Sequence, residues 1–364
     1  MTRYVCIHGH FYQPPRENPW LEAIERQDSA HPYHDWNERI AEECYLPNSR
    51  SRILDEDGWI VRIVNNYARM SFNFGPTLLS WMEAHAALAY RAIIEADRLS
   101  LKRFKGHGSA MAQGYGHIIM PLANDRDRRT QVVWGLRDFE HRFKRKAEGM
   151  WLPETAVDVP TLETLAEHGV KFTVLAPRQA KRFRKIGEKS WTTCENGGID
   201  PRRAYVQRLP SGNEINLFFY DGPVSQAGAF EHLLNSGVDF SNRLLGSLQD
   251  NEKGPQLAHI ATDGETFGHH HRHGEMALSY ALQRIEEEKL GVVTNYSAFL
   301  AKHPPQHEVE IEERTSWSCY HGVERWRSDC GCSSGMHPSW RQRWRKPLRE
   351  ALDWLRDELA PAYE

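Results

Sequence analysis

Seven short apolar runs recur along the chain, and each is bounded by glycine, proline or polar turn residues. Runs of four to six residues with these boundaries predict buried β-strands rather than helices. The seven runs are Tyr4–Ile7, Met70–Phe74, Ser109–Gln113, Gly149–Leu152, Phe172–Ala176, Ile215–Tyr220 and Leu257–Thr262. The sequence therefore predicts a chain with seven buried strands.

Helical periodicity occupies several of the stretches between these runs. It predicts helices over Thr77–Leu99, Arg126–Lys146, Val159–His168 and Gly274–Glu288. Alternation of strand and helix predicts parallel strands that are joined by crossover helices. Seven such strands fit either an open doubly wound sheet or an incomplete barrel.

Polar residues at the C-terminal ends of the runs favour the barrel. They follow nearly every run, whereas an open sheet gathers functional side chains only at its switch point. These residues are His8, His10, Asn73, Gln113, Glu154, Asp221 and Asp263. No Gly-x-Gly-x-x-Gly follows the first run, so a nucleotide-binding open sheet has no support. We predict an α/β fold, an incomplete (β/α)7 barrel with a short C-terminal helical segment.

Two long segments interrupt the strand–helix alternation. Residues 11–51 are polar but contain many aromatics, which predicts an ordered cover over a cleft. Residues 182–214 are expected to contain a β-hairpin around Asn196-Gly197-Gly198.

The pattern changes again after about residue 300. A Cys-, Trp- and Gly-rich segment leads into an amphipathic helix, predicted over Arg341–Leu359. We expect two parts: a catalytic barrel with long loop insertions over residues 1–305, and residues 306–364 packed on that barrel.

Two short blocks carry the candidate chemistry: Trp151-Leu152-Pro153-Glu154 and Thr262-Asp263-Gly264-Glu265. Paired carboxylates from different strand ends suit glycosidic bond cleavage, which needs a nucleophile or base and a protonated acid. Burial or a nearby negative charge must raise the pKa of the acid, and Glu265 is expected either to help raise the pKa of Asp263 or to fix its orientation. Each carboxylate also has an ordinary explanation, Glu154 as a first-turn helix glutamate and Asp263 as a turn residue.

Four motifs, in this order, resemble those of glycoside hydrolase family 57. They are His8-Gly9-His10 with Gln13-Pro14, Tyr115-x-His117-x-Ile119-x-Pro121-Leu122, Trp151-Leu152-Pro153-Glu154 and Asp263-Gly264-Glu265-Thr266-Phe267-Gly268-His269. The first motif departs from the family pattern, because Phe11 and Tyr12 separate His10 from Gln13-Pro14.

The resemblance implies a fold, an activity and a set of site residues. It implies an incomplete (β/α)7 barrel that hydrolyses or transfers α-1,4-glucosidic bonds of α-glucan with retention, and no metal or organic cofactor. It implies that Glu154 is the nucleophile and Asp263 the general acid/base. Substrate-binding residues are expected among the motifs: His8, His10, His117, Trp151, Glu265 and His269. A fifth family region contributes a residue, often tryptophan, and four candidates remain open: Trp317, Trp326, Trp340 and Trp344.

Two clusters of metal-ligand residue types suggest alternatives. The histidine-rich run 269–273 beside Asp263 would suit a metal-dependent polysaccharide deacetylase. Such enzymes usually carry an acidic pair after the first strand, where this chain has His-Gly-His. The alternative for this run is a loop of hydrogen-bonding residues around a sugar site. A barrel that binds glucan without cleaving it is the alternative that is not an enzyme.

The second cluster is Cys319, His321, Cys330 and Cys332. Soft ligands at this spacing suit zinc or redox chemistry. The Cys-x-x-Cys pairs that are usual in zinc sites are missing, so reduced cysteines in a compact turn are the alternative.

Composition limits the range of partners. Lys+Arg 46 nearly balance Asp+Glu 49, and no basic stripe interleaved with aromatics predicts a nucleic-acid partner. No window approaches the ~20 apolar residues that span a bilayer, and the start of the chain lacks a signal-peptide core. Six mostly isolated cysteines fit a reducing compartment. We expect a cytoplasmic protein with an oligo- or polysaccharide substrate; the sequence leaves its oligomeric state open.

Overall fold

The computed structural model describes residues 2–250, 254–332, 337 and 339–363. The strands are β1 (Arg3–Phe11), β2 (Glu17–Asn18), β3 (Ala23–Ile24), β4 (Ser51–Leu54), β5 (Ile60–Val64), β6 (Ser71–Phe74), β7 (Ala112–Gln113), β8 (Met150–Trp151), β9 (Phe172–Leu175), β10 (Ala180–Lys185), β11 (Thr192–Thr193), β12 (Ala204–Arg208), β13 (Glu214–Phe219), β14 (Gln256–Asp263), β15 (Val292–Val293) and β16 (His307–Ile311). The α-helices are α1 (Trp36–Ile40), α2 (Leu46–Ser49), α3 (Pro76–His85), α4 (Ala87–Arg103), α5 (Asp125–Phe143), α6 (Val159–Glu167), α7 (Gly222–Phe230), α8 (Gly237–Leu245), α9 (Gly274–Glu287), α10 (Tyr296–Lys302) and α11 (Arg345–Leu359). The predicted α/β fold is confirmed.

Parallel pairing links seven of these strands side by side. β1 pairs with β14 on one side and with β6 on the other. Ladders join β7 to β8 and β9 to β13, and single parallel bridges join Phe72 to Ala110 and Gly149 to Phe172. The resulting order is β13-β9-β8-β7-β6-β1-β14, and each of the seven predicted runs overlaps one of its strands. The C-terminal ends of these strands therefore lie on one side of the molecule.

The register of β1 and β14 brings two motifs together. His10 lies opposite Asp263 at the end of this ladder, and all but the first residue of β1 are buried. Such a strand must be apolar on both faces, which explains the run Tyr4–Ile7. The first and fourth motifs are thus neighbours in space, although they are far apart in the chain.

A second group of strands lies beyond β9 and β13. β10 pairs antiparallel with β11 and β16, while β12 pairs with β13 and β16. β16 falls within residues 306–364, so the segment expected to pack on the barrel begins inside this sheet.

The hairpin expected around Gly197 is formed by β10 and β11 instead, so the predicted position of its turn was wrong. β10 reverses into β11 after Lys185, whose carbonyl accepts a backbone hydrogen bond from Glu188 at 3.0 Å. Gly187 has a φ of +91°, which glycine adopts without a steric cost and which this turn requires. Residues Glu195–Gly197 form a short 3-10 turn instead.

The predicted helices are present with one break. The helix expected over Thr77–Leu99 is divided into α3 and α4 at Ala86, whose φ is −131° and ψ 46°. Apolar spacing continues through the break, and no proline or glycine marks it. Periodicity alone therefore does not reveal the division.

Residues 11–51 are ordered, as predicted. Asp35 caps α1 by accepting hydrogen bonds from two backbone N–H groups. Cys44 and Tyr45 follow in a π-helical turn and are fully buried. Asn48 donates to the carbonyl of Phe267 at 2.7 Å, so this segment packs against the fourth motif.

The C-terminal helix α11 has the predicted apolar stripe, yet none of its residues is buried. Leu348 and Leu352 remain 50% and 56% exposed. Arg349 donates to the carbonyl of Leu122, and Arg126 lies over the ring of Tyr363 at 5.8 Å. The helix therefore stands beside residues 117–131 and leaves an open space between them. Among the described residues, no helix is both long and apolar enough to cross a membrane.

Candidate active site

A cleft of about 800 Å³ lies beside the ends of β7 and β8. Glu154 and His117 line one part of it, and Trp326, Trp344 and Leu348 line another. The cleft thus combines a carboxylate with aromatic and apolar surfaces.

Glu154 sits on an unusual stretch of backbone just after β8. Its φ is +57°, and that of Thr155 is +49°. A left-handed conformation costs roughly 1–2 kcal/mol in residues other than glycine, so the surroundings must hold it. Gln179 does this, because it accepts from the Thr155 hydroxyl and donates to the Thr155 carbonyl, both at 2.8 Å.

Glu154 lies in a short 3-10 turn, Pro153–Thr155, and not in the first turn of the helix α6. Asp158 caps the next helix, α6, by accepting from the backbone N–H of Thr161 at 2.9 Å. The ordinary explanation for a carboxylate at position 154 therefore does not apply.

Trp317 holds one oxygen of Glu154. Its indole Nε1 donates to Glu154 Oε2 at 3.1 Å, and its backbone N–H donates to the Glu154 carbonyl at 3.0 Å. Its ring meets Trp151 edge-on at 5.2 Å. Of the four tryptophans that the sequence left open, Trp317 contacts Glu154, Trp326 and Trp344 line the cleft, and Trp340 is 71% exposed.

Asp263 ends β14, and its side chain makes no capping hydrogen bond to the turn that follows. Its carboxyl keeps contact with solvent, but the surrounding protein desolvates it, and the negative charge of Glu154 adds to this effect. Together they raise its pKa to about 6. Of the two roles expected for Glu265, raising this pKa is wrong, since burial and Glu154 are the causes.

Gly264 is required at the next position. A Cβ there would lie 2.3 Å from the ring of Phe11. This close approach fixes the backbone that carries Asp263 against the end of β1.

Glu265 lies behind Asp263 and away from solvent. Its Oε1 accepts from the Tyr45 hydroxyl at 2.6 Å and from the Tyr12 backbone N–H at 3.3 Å. Burial raises its pKa to about 7; the charge of Asp263 also raises it, while the bond from Tyr45 lowers it. Glu265 therefore supports the turn after β14 and does not face the cleft.

A chain of hydrogen bonds connects the histidines of the first two motifs. The Asn73 carbonyl pairs with His8 Nε2 at 3.0 Å, and its amide nitrogen donates to His10 Nδ1 at 2.9 Å. His10 Nε2 faces His117 Nε2 at 3.1 Å, and His8 Nδ1 faces the Ser71 hydroxyl at 3.0 Å. Because an amide nitrogen only donates, His10 carries its proton on Nε2 and donates to His117.

These histidines are neutral. Burial lowers the pKa of His8 to about 3 and that of His117 to about 4, and it holds that of His10 well below its ordinary value. The network therefore offers hydrogen bonds without adding positive charge to the site.

Trp151 and His8 form the base of the site. Trp151 is fully buried, and its ring stacks on those of His8 and His10 at 4.7 and 5.1 Å. His8 is also fully buried, and both of its ring nitrogens have partners. Because His8 and Trp151 are both fully buried, the expectation that either side chain contacts substrate directly needs correction; Trp151 packs against the ring of His10 instead.

The histidines of the run 269–273 do not converge on one point, because their side chains contact different partners. His269 pairs with the Glu43 carboxylate, and His271 Nε2 faces the carbonyl of Ala229 at 2.8 Å. Burial alone would raise the pKa of Glu43, but hydrogen bonds from His269 and Arg39 lower it. Within the described part of the chain, only Cys319, His321, Cys330 and Cys332 converge as three or more His, Cys, Asp or Glu ligands.

Several residues of the site were predicted only in part or not at all. Asn73 and Gln113 were noted at strand ends, and Asn73 also donates to Gln113 at 2.6 Å. Tyr45 was signalled only by the aromatic content of residues 11–51, and nothing in the sequence indicated Gln179. Asp221 was also noted at a strand end; it caps α7 by accepting a hydrogen bond from the backbone N–H of Val224.

The profile of Glycosyl hydrolase family 57 matches residues 37–312. The chain belongs to glycosyl hydrolase family 57. The match covers the second, third and fourth motifs and begins after the first. A second profile, a domain of unknown function (DUF3536), matches residues 340–364 of this family 57 chain and includes α11.

Solved structures of similar fold include an exo-type maltose-forming amylase from Pyrococcus sp. ST04 (TM-score 0.72, 16% identity, 99% of this chain and 63% of that chain). A 4-α-glucanotransferase from Thermococcus litoralis is also similar (TM-score 0.62, 17% identity, 100% of this chain and 47% of that chain). So is a branching enzyme from Pyrococcus horikoshii (TM-score 0.62, 15% identity, 90% of this chain and 75% of that chain). This family 57 chain spans less than two thirds of the first two proteins. No curated protein sequence matches it.

Proposed function

We propose that this chain cleaves or transfers α-1,4-glucosidic bonds of α-glucan with retention, using Glu154 as nucleophile and Asp263 as general acid/base. One observation carries the proposal. His10 lies opposite Asp263 in the β1–β14 ladder and stacks at 5.1 Å on Trp151, the third residue before Glu154, which supports a shared site for the two carboxylates. Burial and the charge of Glu154 raise the pKa of Asp263 to about 6. A pair of this kind supplies a charged nucleophile beside a carboxyl that holds its proton.

The proposed architecture is an incomplete (β/α)7 barrel. The parallel order β13-β9-β8-β7-β6-β1-β14 supports it. Between β13 and β14 the described residues form no ladder, and one backbone bond, from Asp221 to the His259 carbonyl at 2.9 Å, crosses there. In this architecture the site lies where strand ends converge.

The first step forms a bond between Glu154 and C1 of the sugar. Trp317 donates to Oε2, and Oε1, which has no bond from Trp317, is the proposed attacking atom. As this bond forms, Asp263 gives its proton to the leaving glycosidic oxygen. The aglycone departs, and a glycosyl ester remains on Glu154.

The second step reverses the roles. Esterification removes the charge of Glu154, and with it one of the two causes that raise the Asp263 pKa. Asp263, now a carboxylate, takes a proton from water or from a sugar hydroxyl, which attacks C1 and releases Glu154. Water gives hydrolysis, and a sugar hydroxyl gives transfer.

Residues around the pair are proposed to bind the sugar. His10 and His117 offer neutral hydrogen-bonding groups close to Trp151 and the pair. Further along, Trp326 and Trp344 in the cleft present indole rings of the kind that stack on sugar faces. The cleft is therefore the proposed path of the glucan chain.

The proposal is tested by incubating the full chain with maltoheptaose or amylose and following products by chromatography and the anomeric configuration by proton NMR. Glu154→Gln and Asp263→Asn should each abolish turnover. Glu167→Gln is the matched control, because Glu167 is an exposed glutamate at the end of α6. Initial products should have the α configuration.

Different results would favour other functions. Glucan binding that survives Glu154→Gln, with no turnover by the wild type, would indicate a binding barrel. Release of acetate from acetylated sugars would indicate a deacetylase. Products of β configuration would contradict the covalent intermediate.

A further inference from the structure

Three cysteines and one histidine form a compact cluster outside the carboxylate site. Cys319 Sγ lies 3.5 Å from Cys332 Sγ, 4.0 Å from Cys330 Sγ and 3.8 Å from His321 Nδ1. Cys332 Sγ lies 3.3 Å from His321 Nδ1. All four ligand atoms are within 4.8 Å of one another.

These separations fit a tetrahedral metal ion. Zn–S bonds of about 2.3 Å and Zn–N bonds of about 2.0 Å place sulfurs about 3.8 Å apart and a sulfur and a nitrogen about 3.5 Å apart. The observed values of 3.5 and 4.0 Å between sulfurs, and 3.3 and 3.8 Å to nitrogen, lie around these edges. They are far longer than the roughly 2.05 Å of a disulfide, and all six cysteines of the chain are free.

Two glycines let short loops present the four ligands. Gly322 has a φ of +66° and closes a turn in which its N–H donates to the Cys319 carbonyl at 3.1 Å. Gly331, with a φ of +78°, separates Cys330 from Cys332. Residues restricted to negative φ would open these turns.

Neighbouring polar groups also point to the cluster. Gln342 donates its amide to the Cys332 carbonyl, and its Oε1 lies 3.7 Å from Cys330 Sγ. Arg345 donates to the same Gln342 oxygen at 2.8 Å. A zinc ion with three thiolates carries a net negative charge, and Arg345 supplies a compensating positive one.

We propose that Cys319, His321, Cys330 and Cys332 bind one Zn²⁺ ion. The ion ties Cys319 and His321 to Cys330 and Cys332, on either side of the cleft residue Trp326. Gln342, shortly before α11, contacts the cluster. Three thiolates and one imidazole are a usual donor set of closed structural zinc sites. His321 is exposed, so a chelator reaches the ion from that side.

The test is the zinc content of the full chain, purified without a histidine tag or chelator and measured by mass spectrometry. The wild type should hold about one zinc ion per chain, and the double variant C319S/C332S should lose nearly all of it. Cys194→Ser is the matched control, because Cys194 is partly exposed and lies outside the cluster; it should keep its zinc.

A second measurement covers the case in which the double variant does not fold. Cobalt exchanged into the wild type should give a thiolate-to-metal charge-transfer band and the strong visible bands of tetrahedral cobalt. A folded wild type that holds no zinc and shows no such spectrum would overturn the proposal. Zinc retained by C319S/C332S would also overturn it.

The outcome is independent of glucan turnover. Glu154→Gln should keep full zinc while losing activity. A chain that is active but without zinc would refute the metal site alone, and a chain that binds zinc but is inactive would refute only the proposed reaction.

Discussion

Trp317 donates its indole N–H to Glu154 Oε2 across a sequence separation of 163 residues. A hydrogen bond to a carboxylate is stronger than one between neutral groups. The bond selects which oxygen of Glu154 remains free, and it ties the Cys- and Trp-rich segment to the candidate nucleophile.

Trp317→Phe keeps an aromatic ring but removes this donor. We expect kcat to fall by about 10- to 100-fold, the equivalent of the ~1.5–3 kcal/mol of a hydrogen bond to a charged group. Steady-state kinetics on maltoheptaose measure it. Trp340→Phe is the control, because Trp340 is exposed and should retain wild-type kcat; equal effects from both variants would refute the role of Trp317.

An activated substrate should distinguish the roles of the two carboxylates. Fluoride leaves maltosyl fluoride without needing a proton, so the first step no longer needs an acid. Asp263→Asn should lose about 10²–10⁴-fold on maltoheptaose but much less in the first step on α-maltosyl fluoride. Glu154→Gln should be inactive on both substrates. Recovery of Glu154→Gln on the fluoride, with none for Asp263→Asn, would mean that the roles are exchanged.

Activity should fall as the pH rises through about 6. Asp263 acts in its protonated form, and its pKa is raised to about 6 by burial and by Glu154. The alkaline limb of kcat/KM should therefore lie near this value, and above it the rate should drop tenfold per pH unit. In Glu154→Gln, carbon NMR of the Asp263 carboxyl should show a lower pKa, since the neighbouring charge is gone. An unchanged pKa in this variant would contradict the electrostatic coupling.

Glu265 should make stability depend on pH. Its pKa rises from 4.5 to about 7 in the folded protein, so the native state holds a proton that the unfolded chain has lost. This contribution is fully present below about pH 4.5 and is lost as the pH rises through 7. Glu265→Gln keeps the acceptor for Tyr45 and avoids that loss.

We expect Glu265→Gln to match the wild type at low pH and to exceed its free energy of unfolding by about 3 kcal/mol above pH 7. Urea unfolding at several pH values measures this difference. A constant difference between the two proteins across the pH range would show that Glu265 does not titrate in this window.

Much of the fold follows from local sequence. The run Tyr4–Ile7 must be apolar on both faces because β1 is buried between two strands, and that pattern is visible in the sequence. Short helices such as α7 and α10 span too few turns to show a clear period. The break at Ala86 is equally hidden, because the apolar spacing continues across it.

The candidate site was partly predictable. Glu154 and Asp263 stood out because carboxylates at the ends of buried runs have no packing role, and the four motifs supported them. The depth of His8 could not be predicted, because a strand pattern does not tell which face lines a cleft. The bond between Trp317 and Glu154, and the support of Thr155 by Gln179, depend on tertiary contacts that no local pattern encodes.

Trapping the covalent intermediate tests the central claim most directly. The Asp263→Asn variant, treated with a 5-fluoro maltosyl fluoride, should accumulate a glycosyl ester, because its second step lacks the base. Peptide mass spectrometry should find the added sugar on Glu154. A label on another residue, or turnover of glucan by the wild type without any trapped ester, would contradict the account.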